Sequence, residues 1–263
     1  MISLTIAAAA DAQYGSPYRK EYEKEKNGPK GECSDRWSKL RDGLEHRTIR
    51  CLGENELDLH VVRIDPKKWN IDTAVVKGAT ASTVARDRNA AFALNTNFFD
   101  SARRPLGVVM RSGSIVHSPR TSSWQSIFLV KKDGGARIIM PTSWSSYRDR
   151  TWMAVQAGPR LVVDGHTARV RQNYDAARAG VCIQKDGDLT FFATPQSRKF
   201  SMYEIARIAR RAEIDGGLEC KDAMLFDGGH STNLFVEGGG ERVTVNGDPV
   251  PVYVYAVPRD KRP

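Results

Sequence analysis

The chain has 263 residues, enough for one large domain or two small ones, and its 40% hydrophobic and 27% charged residues exclude a disordered or fibrous protein. The longest apolar run near the start, Ile2 to Ala10, is about half the ~20 residues a bilayer crossing needs, so no membrane span is expected. Forty Lys and Arg against 31 Asp and Glu give a net charge of +9. The excess is spread as +2, +6 and +1 over residues 1–50, 51–150 and 151–263, with no basic arm and no nucleic-acid-binding signature, so nucleic acid is not the expected partner.

In chain order, Ala10-Asp11-Ala12 after the apolar start has the small-x-small form that precedes signal-peptidase sites, although no basic segment comes before it. Residues 1–31 therefore read as a signal remnant or a flexible charged extension, and the protein as exported, to the periplasm, cell envelope or outside. Cys33, Cys51, Cys182 and Cys220 lack zinc-finger spacing. Their order suggests Cys33 with Cys51 and Cys182 with Cys220 as disulfides; buried free thiols in a cytoplasmic protein are the alternative.

From about Trp37 the pattern is rich in strands. Leu57 to Ile64, closed by Asp65-Pro66, is followed by Ala91 to Leu94, Leu106 to Met110, Ile127 to Val130, Arg137 to Met140, Leu161 to Val163, Leu189 to Ala193 and Ala223 to Phe226. Lys132-Asp133-Gly134-Gly135, Asp164-Gly165 and Asp186-Gly187 are hairpin turn signals. One helix is announced by the capping box Ser201-x-x-Glu204. Met202, Ile205, Ile208, Ala209 and Ala212 form its apolar face, and Gly216-Gly217 ends it. The fold class is α+β, a single domain with a mixed, hairpin-rich β-sheet and a few flanking helices.

Polar residues gather directly after apolar strands. Asp227-Gly228-Gly229-His230-Ser231-Thr232-Asn233 brings a carboxylate, an imidazole, hydroxyls and an amide onto a glycine-opened turn, where main-chain N–H groups could also meet an anion. Asn95-Thr96-Asn97-Phe98-Phe99 pairs amides with aromatic faces, a combination suited to sugar hydroxyls and rings, or to an Asx turn over two core phenylalanines. Arg178 stands just before a strand, placed to clamp a phosphate or to carry surface charge. Asp100, Asp227 and Glu237 could offer oxygen to a metal, but no spacing demands one, so neither metal nor cofactor is expected. A serine hydrolase built on Ser231 and His230 has no Gly-x-Ser-x-Gly elbow to support it.

Together, Ala91 to Phe99, Pro105 to Val109, Ala154-Val155-Gln156-Ala157-Gly158-Pro159-Arg160-Leu161, Ala177-Arg178-Ala179-Gly180 and Leu225 to Thr232 resemble, in their order, the phosphodiester glycosidase family. The resemblance covers about residues 57 to 257 and implies a glycosidase-like domain over 32–263. It departs from the family pattern at Asn95-Thr96-Asn97, where Asn-Gly-Gly is frequent, and at His230, where a third glycine is. It implies hydrolysis of the sugar C1–O bond of a sugar-1-phosphodiester, of N-acetylglucosamine type or in a cell-envelope glycan. The alternative is a non-catalytic glycan- or exopolysaccharide-binding protein of the same fold. The implied catalytic residues are Asp227 and His230. The implied substrate contacts are Asn95, Asn97, Phe98, Gly158, Arg178, Gly228, Gly229, Ser231 and Thr232, the partner being a phosphorylated or acidic glycan.

Overall fold

The computed structural model describes residues 36–52, 55–170 and 174–259, and their side chains apart from those of 51–57. The 1–31 extension and the Cys33–Cys51 pairing lie outside the described residues. The α+β class, rich in hairpins with few flanking helices, is what the sequence indicates, and the strands divide among three sheets whose ladders all pair antiparallel.

The first sheet has eight strands. In spatial order they are β1 (Ser38–Arg41), β2 (Leu44–Leu52), β3 (Asn55–Ile64), β14 (Leu189–Ala193), β13 (Ala179–Ile183), β15 (Asp222–Leu225), β11 (Arg160–Val163) and β12 (His166–Thr167). The second runs β7 (Ser114–His117), β6 (Val109–Arg111), β10 (Thr151–Ala157), β8 (Ser126–Lys131) and β9 (Ala136–Ile139). The third runs β17 (Glu241–Val245), β16 (Leu234–Gly238), β5 (Phe92–Asn95), β18 (Val250–Pro258) and β4 (Trp69–Ala79).

The inner faces of all three sheets share one core. Val62, Val181, Phe191 and Met224 from the first meet Val109, Phe128 and Val155 from the second and Phe92, Leu94, Val236 and Val254 from the third. Each outer face has a helical cover. Helix α3 (Met202–Arg210) lays Met202, Ile205, Ile208 and Ala209 on Leu59, Val61, Phe192 and Leu225. Helix α1 (Ala81–Asp87) covers Ala93, Phe235 and Tyr253, and Trp144 of the short α2 (Trp144–Tyr147) covers Val108, Ile127 and Leu129. With both faces covered, β5, β13 and β14 are buried at every residue, which is why they read as continuous apolar runs.

The capping box forms as expected, with Ser201 Oγ accepting from Glu204 N–H and the Glu204 carboxylate accepting from Ser201 N–H. The helix stops at Arg210, short of the periodicity that runs to Ala212. Arg211 turns extended, and its carbonyl receives Glu219 N–H at 2.8 Å while Gly217 packs so close that a Cβ there would lie 2.0 Å from it. Behind this crossing, a disulfide joins Cys182 to Cys220, the second of the two expected pairs.

Candidate active site

Antiparallel pairing brings four strand ends together. The start of β13 lies beside the end of β15, with Gly180 opposite Leu225, and the start of β16 beside the end of β5, with Leu234 opposite Leu94. Asn95, the last residue of β5, bridges the two sheets. Its Nδ2 donates to the Asp227 carbonyl at 2.7 Å, and its Oδ1 accepts Asn233 N–H at 2.9 Å. Asp227 N–H in turn donates to the Thr96 carbonyl at 2.8 Å, so the main chain of the Asp227–Asn233 loop is fixed at both ends.

That role corrects the expectation that Asn95 and Asn97 contact a sugar. Asn95 is 0% and Asn97 2% exposed, and their amides are turned inward. Asn97 Nδ2 donates to the Val108 carbonyl at 3.1 Å, tying this junction to the second sheet. Buried amides of this kind hold the backbone because leaving their partners unmet would cost a kilocalorie or more each.

The Asp227 carboxyl is half-buried. Burial pushes it up to about 6, against the opposing pull of hydrogen bonds from the Ser231 hydroxyl and Gly228 N–H. Ser231 is thus engaged with Asp227, which leaves the serine-nucleophile reading without its nucleophile–base pair. Gly229 N–H donates to the Ala177 carbonyl at 2.8 Å. With Gly228 N–H on the carboxylate, the expected anion cradle of these two amides is already occupied by the protein itself. Gly228 is required for a different reason: a Cβ there would lie 2.6 Å from the Ala177 carbonyl oxygen, next to Arg178. Thr232 is fully buried with its hydroxyl unpartnered, so it does not face solvent as a substrate contact. His230 is exposed on the 3-10 turn Gly229–Ser231.

Arg178 stands just before β13, its backbone against Gly228. It is 4% exposed, and its guanidinium donates to the Phe200 carbonyl at 2.7 Å and to the Tyr174 carbonyl, with the Tyr174 ring 5.0 Å away. Burial lowers its pKa, opposed by Tyr174 and by the Asp175 carboxylate. Asp100 and Glu237 are bound to Arg104 and Arg242, and no group of three or more His, Cys, Asp or Glu side chains suited to a metal gathers among the described residues.

Gly158, after β10, lies against the chain at Trp124, where an added Cβ would meet the carbonyl oxygen at 2.8 Å. Phe98 packs on the shared core and sets its ring edge-on to Trp124, centroids 5.5 Å apart. Two residues in this region were not singled out by the sequence. Gln156, fully buried, accepts Val108 N–H and Arg120 N–H, both at 3.0 Å, and donates to the Arg120 carbonyl at 2.6 Å. Gln196 donates to the carbonyls of Gly229 and Thr232 at 3.1 and 3.0 Å, supporting the Gly229–Ser231 turn. Glutamines placed just past or at the end of apolar strands were the available signal.

A phosphodiester glycosidase family model matches residues 88–257, which takes in every element of this junction. The chain belongs to the phosphodiester glycosidase family. No curated protein matches it. Among solved structures, this glycosidase-family chain is similar to a hypothetical protein from Synechocystis, at 13% identity and a TM-score of 0.65, over 89% of this chain and 64% of that one. It thus spans less than two thirds of that protein. It is also similar to the catalytic domain of zebrafish N-acetylglucosamine-1-phosphodiester alpha-N-acetylglucosaminidase auto-inhibited by its pro-peptide, at 15% identity and a TM-score of 0.61, over 87% and 85% of the two chains. At such identities these likenesses concern the fold alone. No helix among the described residues is long and apolar enough to cross a membrane.

Proposed function

We propose that this protein hydrolyses the C1–O bond of a sugar-1-phosphodiester, with Asp227 as the base. The observation that carries the reading is the Asp227 carboxyl, raised to about 6 by burial on a loop whose main chain is locked by Asn95, Thr96 and Gln196. At pH 7 such a group is about tenfold more ionised than protonated, yet basic enough to take a proton from water. The water oxygen bonds to C1, its proton passes to Asp227, and the C1–O electron pair leaves with the phosphate.

The leaving group needs little help. A phosphate monoester has a second pKa of about 6 and departs at neutral pH without a general acid, so the usual pair of glycosidase carboxylates is relaxed to one. What the phosphate does require is a cation, and Arg178, whose backbone lies against Gly228 and whose guanidinium is held by the Phe200 and Tyr174 carbonyls, is the proposed one. His230, exposed on the same turn, serves as an auxiliary acid or base. A phosphorylated or acidic glycan of the cell envelope, of N-acetylglucosamine type, is the proposed substrate class. Export fits the Cys182–Cys220 disulfide, which an oxidising compartment maintains.

The test is release of reducing sugar from an N-acetylglucosamine-1-phosphodiester. Asp227→Asn and Arg178→Ala should each reduce turnover by at least about 100-fold, the scale of a lost base or charge clamp. Full activity of a folded Asp227→Asn protein removes this residue from the reaction. Saturable glycan binding without sugar release by the wild type establishes the non-catalytic glycan-binding alternative.

A further inference from the structure

Among the described residues, Trp124 is the one tryptophan left widely exposed, at 52%, whereas Trp69 and Trp144 are buried and Trp37 and Trp152 are partly so. An exposed aromatic on a loose loop would be unremarked. This one is held. The Ser122 Oγ accepts N–H from both Trp124 and Gln125, at 3.4 and 3.1 Å, closing a turn under the indole. The loop is then pinned at Arg120 by both ends of the buried Gln156 amide, whose Nε2 also reaches Gln125 Oε1 at 3.3 Å. From the side, the Phe98 ring meets the indole edge-on at 5.5 Å.

Two independent connections tie the Trp124 segment to the Asp227 loop. Phe98 lies three residues beyond Asn95, whose side chain holds the Asp227 carbonyl, so the two α-carbons are within about 11 Å at full extension. On the other side, the Trp124 carbonyl lies against Gly158, and the next residue, Pro159, accepts Leu225 N–H at 2.9 Å, two positions before Asp227. An exposed indole held on a segment tied to the Asp227 loop has the chemistry of a carbohydrate subsite. Its flat apolar surface accepts the C–H face of a pyranose, while the ring hydroxyls turn to the polar side of the site.

We infer that Trp124, propped by Phe98 and the Gln156-anchored loop, is the stacking platform for a sugar ring of the substrate. The inference rests on the proposed function for its substrate class, but its position and rigidity do not depend on the reaction. Stacking acts in ground state and transition state alike, so the platform lowers KM more than it raises kcat.

The experiment has two arms. In the first, kinetics on an N-acetylglucosamine-1-phosphodiester compare wild type with Trp124→Ala and Trp124→Phe. Trp124→Ala should raise KM about 10-fold with kcat within about threefold, and Trp124→Phe should recover most of the loss, as an aromatic stack of this kind predicts. In the second, intrinsic fluorescence is titrated with the 1-phosphates of N-acetylglucosamine, glucose and galactose. Quenching should appear in the wild type and vanish in Trp124→Phe, since the other tryptophans lie elsewhere. If the wild type turns over the diester and Trp124→Ala matches it in KM, the platform is overturned while the hydrolase stands. If sugar phosphates quench the wild type but not Trp124→Phe and no diester is cleaved, the platform stands and the hydrolase reading falls. A wild type that neither binds nor cleaves any of these probes overturns both.

Discussion

The raised carboxyl of Asp227 makes a prediction about stability that is separate from activity. Replacing it with Asn removes an ionisable group whose charged form is penalised by burial. The displacement from 3.8 to about 6 is roughly two units, and at 1.36 kcal/mol per unit the ionised carboxylate costs the folded state about 3 kcal/mol. Because the folded pKa lies above the unfolded one, that cost is absent below about pH 4 and is fully felt once pH has risen past about 6. Asn keeps the shape but gives up one of the two hydrogen bonds from Ser231 and Gly228, a loss of roughly 1 kcal/mol at every pH. The variant should therefore be about 1 kcal/mol less stable than wild type near pH 4 and about 2 kcal/mol more stable near pH 7.5. Urea unfolding of both proteins at half-unit steps from pH 4 to 8 reads this directly, since every other titrating group cancels in the difference. A difference that stays flat across that range would refute the assignment of a burial-raised carboxyl. In the wild type, kcat/KM should also rise with pH through an apparent pKa near 6.

Three further outcomes follow from the surroundings. Gln156→Ala strips partners from Val108 N–H, Arg120 N–H and the Arg120 carbonyl, and should cost about 2–3 kcal/mol in urea unfolding and open residues 118–125 to proteolysis; wild-type stability with unchanged cleavage would show the anchor to be dispensable. Replacing Cys182 and Cys220 together with Ala releases a cross-link between residues 38 apart, worth about 4 kcal/mol by loop entropy, so the denaturation midpoint should fall. An unshifted midpoint would contradict that value. His60 is pushed down to about 4, first by burial and then by the nearby His46, so its stabilising contribution is present above about 6.5 and is lost as pH falls through about 4. His60→Gln should therefore flatten the loss of stability between pH 6.5 and 4, and a wild-type slope in that interval would argue against the buried neutral imidazole.

Much of this architecture was readable from local chemistry. The turns at Gly134, Asp164-Gly165 and Gly187 all adopt the positive φ their sequences call for, because few other residues tolerate it. The capping box likewise follows from residues three apart along the chain, and the Cys182–Cys220 pair from the order of the cysteines. The division into three sheets was not readable: continuous apolar strands such as β13 and β14 bury both faces and carry no mark of which sheet they join. Helix α1, capped by Thr80, was missed because its seven residues make too short a stretch for periodicity to register. At the candidate site, the motif order picked out segments that the fold brings together at one junction of strand ends. It read Asn95, Asn97 and the Gly228-Gly229 amides as open contacts, since only the fold shows that they are spent on Asp227, Val108 and Ala177. Gln156 and Gln196 escaped notice for the converse reason: each serves chain distant in sequence.

The meeting of strand ends around Asn95 also sets how this protein can change. Asn95 N–H donates to the Asn233 carbonyl, and the strands that carry both run straight into the shared core. No subset of the molecule can loosen there on its own, so the amide of Asn95 should exchange with solvent only when the whole domain opens. The Asp227 turn and the domain thus live and die together, whereas the 118–125 segment is held mainly by side chains, those of Gln156, Phe98 and Ser122. New substrate preferences can be written into that segment without rewriting the architecture that holds Asp227.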